Sequence, residues 1–493
     1  MASYAKIDTA DRLFFESIAK IAFCNPFSEE RALLDTELVG HQVDVFSDRH
    51  ASEIAQAISS PVARLERKGL ASLRKCAPND RELMQTVFLF ECFHQFCPQF
   101  DQLISDQLKL GEQSAPVNFA SDILFWLNRR GIGATESLRF FSIFYQLRRA
   151  FHFIVRGLIG QSPCMNEFRR HLWQNVFTRE VRWYERYLWN RMEDFSTLLL
   201  GETGTGKGAA AAAIGRSGFI PFDEKHRCFA ESFTRSFISL NLSQFPETLI
   251  ESELFGHCKG AFTGAVEAHE GVLARCSAYG AIFLDEIGDV SIPVQIKLLQ
   301  VLQERSFCPV GSHEAIRFRG RVIGATNHPL ESLQGQKLFR EDFFYRLSSD
   351  LIEIPPLRRR LQETPAELPE LVAHVLTNII GRKDEQLHGK VEAAILSAVG
   401  KNYSWPGNVR ELAQAVRRIL ITGKYEAVAA PRAGSLQDVL VAGIERQNLN
   451  ADQLLRAYCA LLYNKSGNYE EVARRTNLDR RTVKKYVQTQ KAS

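Results

Sequence analysis

At 493 residues, the chain is too long to organise around one hydrophobic core and is expected to fold as about three domains. Its 45% hydrophobic and 24% charged residues are those of ordinary globular proteins, and no apolar run approaches the ~18–20 residues of a membrane span. A net charge of only +4 is too small to imply nucleic-acid binding from the total, and ten cysteines without a repeating spacing point to reduced thiols rather than a disulfide framework. The opening MASYAKIDTADRLFFES has early acidic residues and no apolar signal-peptide segment, so a cytoplasmic location is expected.

Residues 1–156 read as helical, as in RELMQTVFLFECFHQFCPQFDQLISDQL, with apolar positions three and four apart. Cys92, His94 and Cys97 lie in this stretch. On a helix Cys92 and His94 project in different directions among phenylalanines, so they read as buried core rather than metal ligands. His41, Asp44, Asp48 and His50 read as surface polar residues. At Gly157 the texture changes to GLIGQSPCMNEFRRHL, punctuated by Gly and Pro. This enters a second helix-rich stretch within a 157–355 domain, and from Thr197 to about Ile354 short apolar strands (STLLLG, FISLNL, GAIFLDE, RVIGATN and SDLIEIP) alternate with helices, which predicts a parallel α/β sheet. Residues 356–423 return to helical periodicity. A loose linker is expected over 424–436, before a final helical unit at 437–493.

The stretch LLLGETGTGKGAAAAAIG runs from a strand through a glycine loop into a helix. Gly201, Glu202, Thr203, Gly204, Thr205, Gly206 and Lys207 make a phosphate-binding loop, with Gly208 where a magnesium-holding Ser or Thr usually stands. Glycines let the backbone N–H groups turn toward phosphate oxygens, the helix N-terminus adds its positive dipole end, and Lys207 neutralises the β- and γ-phosphates. ATP and Mg2+ are the expected cofactors. Downstream, GAIFLDEIGD is an apolar strand ending in Asp285-Glu286. Strands often end in acids, but after a phosphate loop the pair gains meaning. Asp285 suits a magnesium ligand and Glu286 suits the group that orients and polarises an attacking water.

The segment ESELFGHCKGAFTGA contains Gly260-Ala261-Phe262-Thr263-Gly264-Ala265. With it, the region from about Gly157 to Gly423 resembles the AAA+ ATPase module of bacterial enhancer-binding proteins, the activators of sigma-54 RNA polymerase. The hexapeptide matches the GAFTGA loop of that family residue for residue. Its glycines permit hinging, and Phe262 and Thr263 supply an apolar tip and a hydroxyl, which the resemblance assigns to sigma-54 contact. The resemblance further implies that Asn241 pairs with the catalytic glutamate, and that Asn327, after Thr326, reads the γ-phosphate. It implies that Arg340 and Arg346 act on a neighbouring subunit's nucleotide, and that Arg410 in YSWPGNVRELAQAV contacts nucleotide from a helical lid. A ring follows from such arginines, in which an arginine supplied in trans is worth ~10³–10⁵ in rate. In this family the residue after the loop lysine is commonly glutamate, so the lack of a hydroxyl is ordinary, although Gly208 departs from that pattern too. Cys258 stands where glutamate is usual, as does Arg359. The segments Arg169–Phe195 and Phe219–Arg235 are respectively more aromatic and more polar than the family pattern.

The C-terminal SGNYEEVARRTNLDRRTVKKYVQTQ has helix-turn-helix form, with Asn477-Leu478 in the turn and Asp479 capping a second helix. That helix carries Arg480, Arg481, Thr482, Lys484 and Lys485 as candidate DNA contacts, with Val483, Tyr486 and Val487 toward the core. It resembles the Fis-like domains that end many enhancer-binding proteins, and SLQDVLVAGIERQ with NADQLLRAYCALLYN suits a dimer interface. The fold expected is multidomain: a mostly helical N-terminal domain, an AAA+ α/β P-loop domain with a small helical lid, and a C-terminal helix-turn-helix. The function implied is a sigma-54-dependent activator. It binds DNA upstream of promoters, assembles from dimers into a hexameric ring without membrane attachment, and remodels the sigma-54 RNA polymerase holoenzyme by ATP hydrolysis. The alternative is a DNA-binding regulator that ATP assembles without turnover.

Overall fold

The computed structural model describes residues 7–47, 49–335, 339–400, 403–425, 440 and 450–492. It divides into two compact units, one from Met1–Glu392 with Tyr403–Arg417, the other from Ala393–Asn402 with Arg418–Ser493.

The first unit begins with seven helices, α1 (Thr9–Phe23), α2 (Glu29–Val39), α3 (His50–Arg67), α4 (Arg81–Leu110), α5 (Ala120–Arg129), α6 (Ala134–Gly157) and α7 (Pro163–Phe177). Phe15, Ile18, Ile54, Ile58, Val87 and Phe88 knit α1, α3 and α4 into one core. Cys92, His94 and Cys97 are all buried on α4. Among the described residues no cluster of His, Cys, Asp and Glu is arranged to hold a metal. The surface reading of His50 is corrected: it is buried, and its Nε2 lies 2.9 Å from Asp35, which also accepts from Arg31 Nε at 2.7 Å. The Asp35 carboxylate, itself held by Arg31, thus supplies the partner that lets the imidazole leave water. His41 and Asp44 are exposed, and Asp48 lies outside the described residues.

Five strands, β1 (Thr197–Leu200), β2 (Phe237–Asn241), β3 (Ala281–Asp285), β4 (Arg321–Thr326) and β5 (Asp350–Glu353), form one sheet in the order β2-β3-β4-β1-β5, every pairing parallel. They are the five apolar runs of the sequence. Successive side chains enter different cores: Leu198 and Leu200 pack with Ile282, Leu284 and Val322, and Leu199 packs with Phe283, Ile323 and Ile352. Burial on both faces is why these strands read as continuous apolar runs. Each such side chain contributes about 1.5–3 kcal/mol. Helix α8 (Lys207–Gly215) lays Ala210, Ala211 and Ile214 on the second face, where α7 adds Phe168, Leu172 and Trp173.

The helical region is fastened to this sheet module. Arg149 of α6, fully buried, donates to the carbonyls of Arg216 and Gly218 beyond the end of α8, both at 2.7 Å. Gln146 donates to the carbonyl of Ser217 at 2.8 Å and accepts from the Tyr184 hydroxyl at 2.7 Å. The polar insertion at 219–235 forms a ribbon, Phe222–Asp223 with Cys228–Phe229, whose aromatic rings dock on α6. Phe229 stacks on Tyr145 at 4.0 Å, and Phe222 meets Phe141 at 4.8 Å.

Beyond β5 the chain turns helical, with α9 (Leu357–Glu363), α10 (Glu367–Ile380), α11 (Glu385–Val399) and α12 (Asn408–Thr422). In the second unit, α13 (Ala451–Ser466), α14 (Tyr469–Thr476) and α15 (Arg480–Ala492) close on Cys459, Leu462, Val472, Val483 and Val487. Most of the expected linker and the SLQDVLVAGIERQ helix lie outside the described residues. Among the described residues no helix is long and apolar enough to cross a membrane.

His94 yields a test of the N-terminal packing. Burial first, then the Arg31 cation, pushes its pKa down to about 3, against the favourable Phe90 carbonyl. Below pH 6.5 the unfolded chain therefore protonates this ring while the folded chain does not, so stability is lost as pH falls toward 3. At pH 5 the loss is about 2 kcal/mol. Thermal unfolding at pH 5.0 and 7.5 is expected to show a larger drop for the parent chain than for His94→Gln, and equal drops contradict the burial.

Candidate nucleotide site

Parallel pairing brings the ends of the strands to one edge: Asn241 registers with Asp285, and Leu200 with Thr326. In open α/β sheets ligands bind off this carboxyl edge. The glycine loop leaves β1 there. Gly204 and Gly206 adopt φ of 83° and 108°, left-handed values that favour glycine. Lys207, nearly buried, donates from Nζ to the Gly201 carbonyl at 2.9 Å and the Glu202 carbonyl at 3.4 Å. Nothing lies within 4 Å of where a Gly208 side chain would start, so the departure there answers no packing demand.

The lid closes on this loop through contacts the sequence did not announce. Asn408, fully buried at φ 51°, accepts from the Leu357 amide at 2.8 Å and donates to the Thr203 carbonyl at 3.1 Å and to Glu202 Oε2 at 3.2 Å. Arg358 grips Glu202 with two bonds, 2.6 and 2.7 Å, and these bonds hold the Glu202 carboxyl below its usual pKa. The Val409 amide donates to the Gly204 carbonyl at 3.1 Å. A Cβ at Gly204 would collide with the Gly407 carbonyl, so glycine is required there for close approach as well as for φ.

Between loop and lid lies a cavity of about 390 Å³. Loop residues Thr203 to Ala209 line one wall, Leu158, Ile159 and Phe168 a second, Leu371, Val375 and exposed Arg410 a third, with Asp285 and Glu286 at the strand edge. Glu286 sits at φ 55°, and its Oε2 is buried without a hydrogen-bond partner. Burial raises its pKa against the opposing pull of Lys207, and Asp285 raises it further. A cation and backbone amides at one side, apolar walls at the other and a carboxylate with one unsatisfied oxygen between suit a nucleoside triphosphate, and Asp285 is the lining residue that could hold a metal ion.

The remaining site residues divide. Asn327 Nδ2 approaches Thr203 Oγ1 at 3.5 Å, joining the β4 edge to the loop. Asn241 does not reach Glu286: its Oδ1 caps the short turn Leu242–Gln244, accepting from the Ser243 amide at 3.0 Å and hydroxyl at 2.7 Å. Arg340 and Arg346 do not line the cavity. Arg340 is paired with Asp342 at 2.8 Å, and Arg346 Nε donates to the Leu302 carbonyl at 3.0 Å.

The GAFTGA segment is the tip of a projection whose base is closed by the reciprocal His257–His269 backbone bonds, 2.9 Å each. The Gly260 amide donates to the Ala265 carbonyl at 2.8 Å, with Gly260 and Gly264 at φ 79° and 104°. Ala265 is buried, while Phe262 is 40% exposed with its ring 4.9 Å from that of His257, and Thr263 is exposed. In the second unit, Asn477 at φ 55° ends α14 and Asp479 Oδ1 accepts from the Arg481 amide at 2.7 Å, starting α15. Arg481, Lys484 and Lys485 are exposed, Thr482 is half-buried, and Arg480 pairs with Glu470 at 3.0 Å.

A phosphate loop, an acidic strand end and a helical lid meeting at the edge of a parallel sheet define a AAA+ ATPase module. Residues 181–353 match the sigma-54 interaction domain and 362–437 the AAA+ ATPase lid domain. The chain is 37% identical over 289 residues to the sigma54-dependent transcriptional activator SfnR of Pseudomonas putida, covering 56% of this chain and 71% of that protein. It is 34% identical over 333 residues to the transcriptional regulatory protein ZraR of Salmonella typhimurium, covering 66% and 67% respectively. With the Nif-specific regulatory protein of Azotobacter vinelandii identity reaches 43% over 264 residues, 54% of this chain but 44% of that protein. The chain belongs to the sigma-54-dependent transcriptional activators.

Asn408→Ala strands the Leu357 amide and places alanine at a left-handed φ, which together cost about 2–4 kcal/mol. Chemical unfolding is expected to register that loss, and ATP titration a loss of affinity of about tenfold. Unchanged affinity would mean that the clasp does not shape the site.

Proposed function

We propose that the protein is a DNA-bound activator that assembles into a ring, hydrolyses ATP at subunit interfaces and uses the 260–265 loop to remodel sigma-54 RNA polymerase holoenzyme. The observation that carries this reading is the projecting GAFTGA loop, Phe262 and Thr263 exposed at its tip, in the same module as the nucleotide cavity.

In this reading ATP with Mg2+ supplies the phosphoryl group whose transfer drives the cycle. The loop amides and Lys207 hold and neutralise phosphate oxygens, and Asp285 holds the metal. Glu286, with one carboxylate oxygen unpaired at the site, orients the attacking water and takes its proton; its raised pKa makes it a better proton acceptor. Asn327 lies beside Thr203 to sense the γ-phosphate, and Arg410 answers from the lid. Arg340 and Arg346, away from the cavity of their own chain, serve a neighbouring subunit's site. Asn241, turned to Ser243 rather than to Glu286, serves as a switch by exchanging one contact for the other. The helix α15 enters the DNA major groove with Arg480, Arg481, Thr482, Lys484 and Lys485, Arg480 by releasing Glu470. Residues 1–156 then form the regulatory domain, 157–355 and 356–423 the ATPase and its lid, 424–436 a linker and 437–493 the Fis-like DNA-binding domain of a cytoplasmic protein. Gly208 favours a second reading, in which nucleotide assembles the ring without turnover, because no side chain at that position can assist the metal.

Thr263→Ala and Phe262→Ala are the test. Each is expected to retain ATP hydrolysis within about twofold, since the tip lies outside the cavity, while open-complex formation at a sigma-54 promoter falls at least about a hundredfold, as when a few contact residues carry an interface. Full promoter opening by both variants would contradict the proposal.

A further inference from the structure

A second cavity, of about 490 Å³, lies among the N-terminal helices and the segment that leads into the ATPase module. Its volume falls in the range of small-molecule sites. Phe90, Phe93, Phe144, Phe151 and Trp173 present aromatic surface to it. Five arginines also line it. Four are matched by carboxylates: Arg31 by Asp35 at 2.7 Å, Arg139 by Glu185 at 2.9 Å, Arg148 by Asp101 at 2.6 Å and Arg186 by Glu82 at 2.6 Å. The fifth, Arg182, has no carboxylate partner among the described residues. It lies over the Phe23 ring at 4.2 Å, exposed to solvent, which puts it at the mouth.

His94 is the second polar feature without a full set of partners. It is 4% exposed, and its Nδ1 lies 2.9 Å from the Phe90 carbonyl. A carbonyl only accepts, so Nδ1 carries the proton, and burial keeps the ring neutral. Nε2 is thereby fixed as an acceptor, with no donor to it among the described residues. The cavity thus offers aromatic faces, one buried acceptor and the Arg182 cation at its mouth, with the exposed Glu136 carboxylate also on its lining.

We propose that this cavity is a ligand-binding site for a planar organic acid whose apolar body bears a hydroxyl or N–H donor. The flat body stacks between the phenyl rings, the donor satisfies His94 Nε2, and the acid group meets Arg182. A carboxylate pointing inward would face the lone pair of Nε2, so the two polar groups set the orientation. The site also has a physical connection to the nucleotide: α7 carries Trp173 to this cavity and Met165 and Phe168 to the other. Trp173 packs edge-on against Phe27 at 6.1 Å and, tilted, against Phe177 at 4.6 Å. A π-helical turn, Tyr184–Leu188, completes the wall directly after the start of the sigma-54 interaction domain, and such turns frequently mark functional sites. The proposal concerns binding and does not require the remodelling function to be correct.

The test uses 6-hydroxy-2-naphthoate, a planar fluorescent aromatic acid with its hydroxyl and carboxylate at opposite ends, titrated by fluorescence into the full chain. One saturable site is expected, weakened about tenfold or more in Arg182→Gln by loss of a charge-assisted bond, and unchanged in Arg170→Gln, which removes an exposed arginine that does not line the cavity. Leu147→Trp, which adds bulk to the lining, is expected to abolish the site. Absence of a saturable site, equal affinity in the two arginine variants, or binding that survives Leu147→Trp would each overturn the proposal.

Discussion

The arrangement of the nucleotide site depends on one buried side chain. Asn408 joins three pieces of chain, the glycine loop, the start of α9 and the start of α12, through bonds to Thr203, Glu202 and Leu357. Both its oxygen and its amide nitrogen are used, so little freedom is left in how the lid meets the loop. Its left-handed backbone is tolerable because asparagine accepts that conformation more readily than most residues. The exposed Glu202–Arg358 pair lies beside it, and such pairs contribute little alone. The buried amide sets the register, and the ion pair follows it.

The segments that depart from the family pattern have a common explanation in packing. The aromatic stretch before the phosphate loop becomes α7 and the π turn, which must satisfy the sheet on one side and the N-terminal helices on the other. Asn175 and His171 of α7 both bond Asp350 of β5, at 2.6 and 3.0 Å, while Trp173 packs on Phe27. The insertion at 219–235 is polar in composition, but its few aromatic residues form the ribbon that receives α6. With Arg149 capping the carbonyls beyond α8, the helical region rests directly on the helix that begins with Lys207. A change in how those helices pack therefore has a short route to the phosphate loop.

Much of the sheet module was legible from sequence because its physics is local. Strands buried on both faces must be apolar runs, and the glycine loop needs left-handed residues at fixed spacing. What could not be read depends on residues far apart in the chain. Glu202 meets Arg358 across 156 positions, and His50 finds a buried partner in Asp35 on another helix. Nothing in the sequence near His50 announces that partner, so it reads as surface. Asn408 lies two residues before Arg410, but its partners Leu357 and Thr203 are distant in the chain, so its role is not written in the local motif. The N-terminal cavity was illegible for the same reason: its walls come from six helices and a turn, and none of them is distinctive alone.

In the proposed function this site turns nucleotide over, with Glu286 activating water in a site completed by a neighbouring subunit. The most direct measurement is steady-state ATP hydrolysis by the full chain across a protein concentration series, beside Glu286→Gln. Activity per chain is expected to rise as subunits assemble, and to vanish in the variant while ATP binding persists. Bound ATP without turnover at any concentration would contradict it, and the nucleotide would then be an assembly ligand.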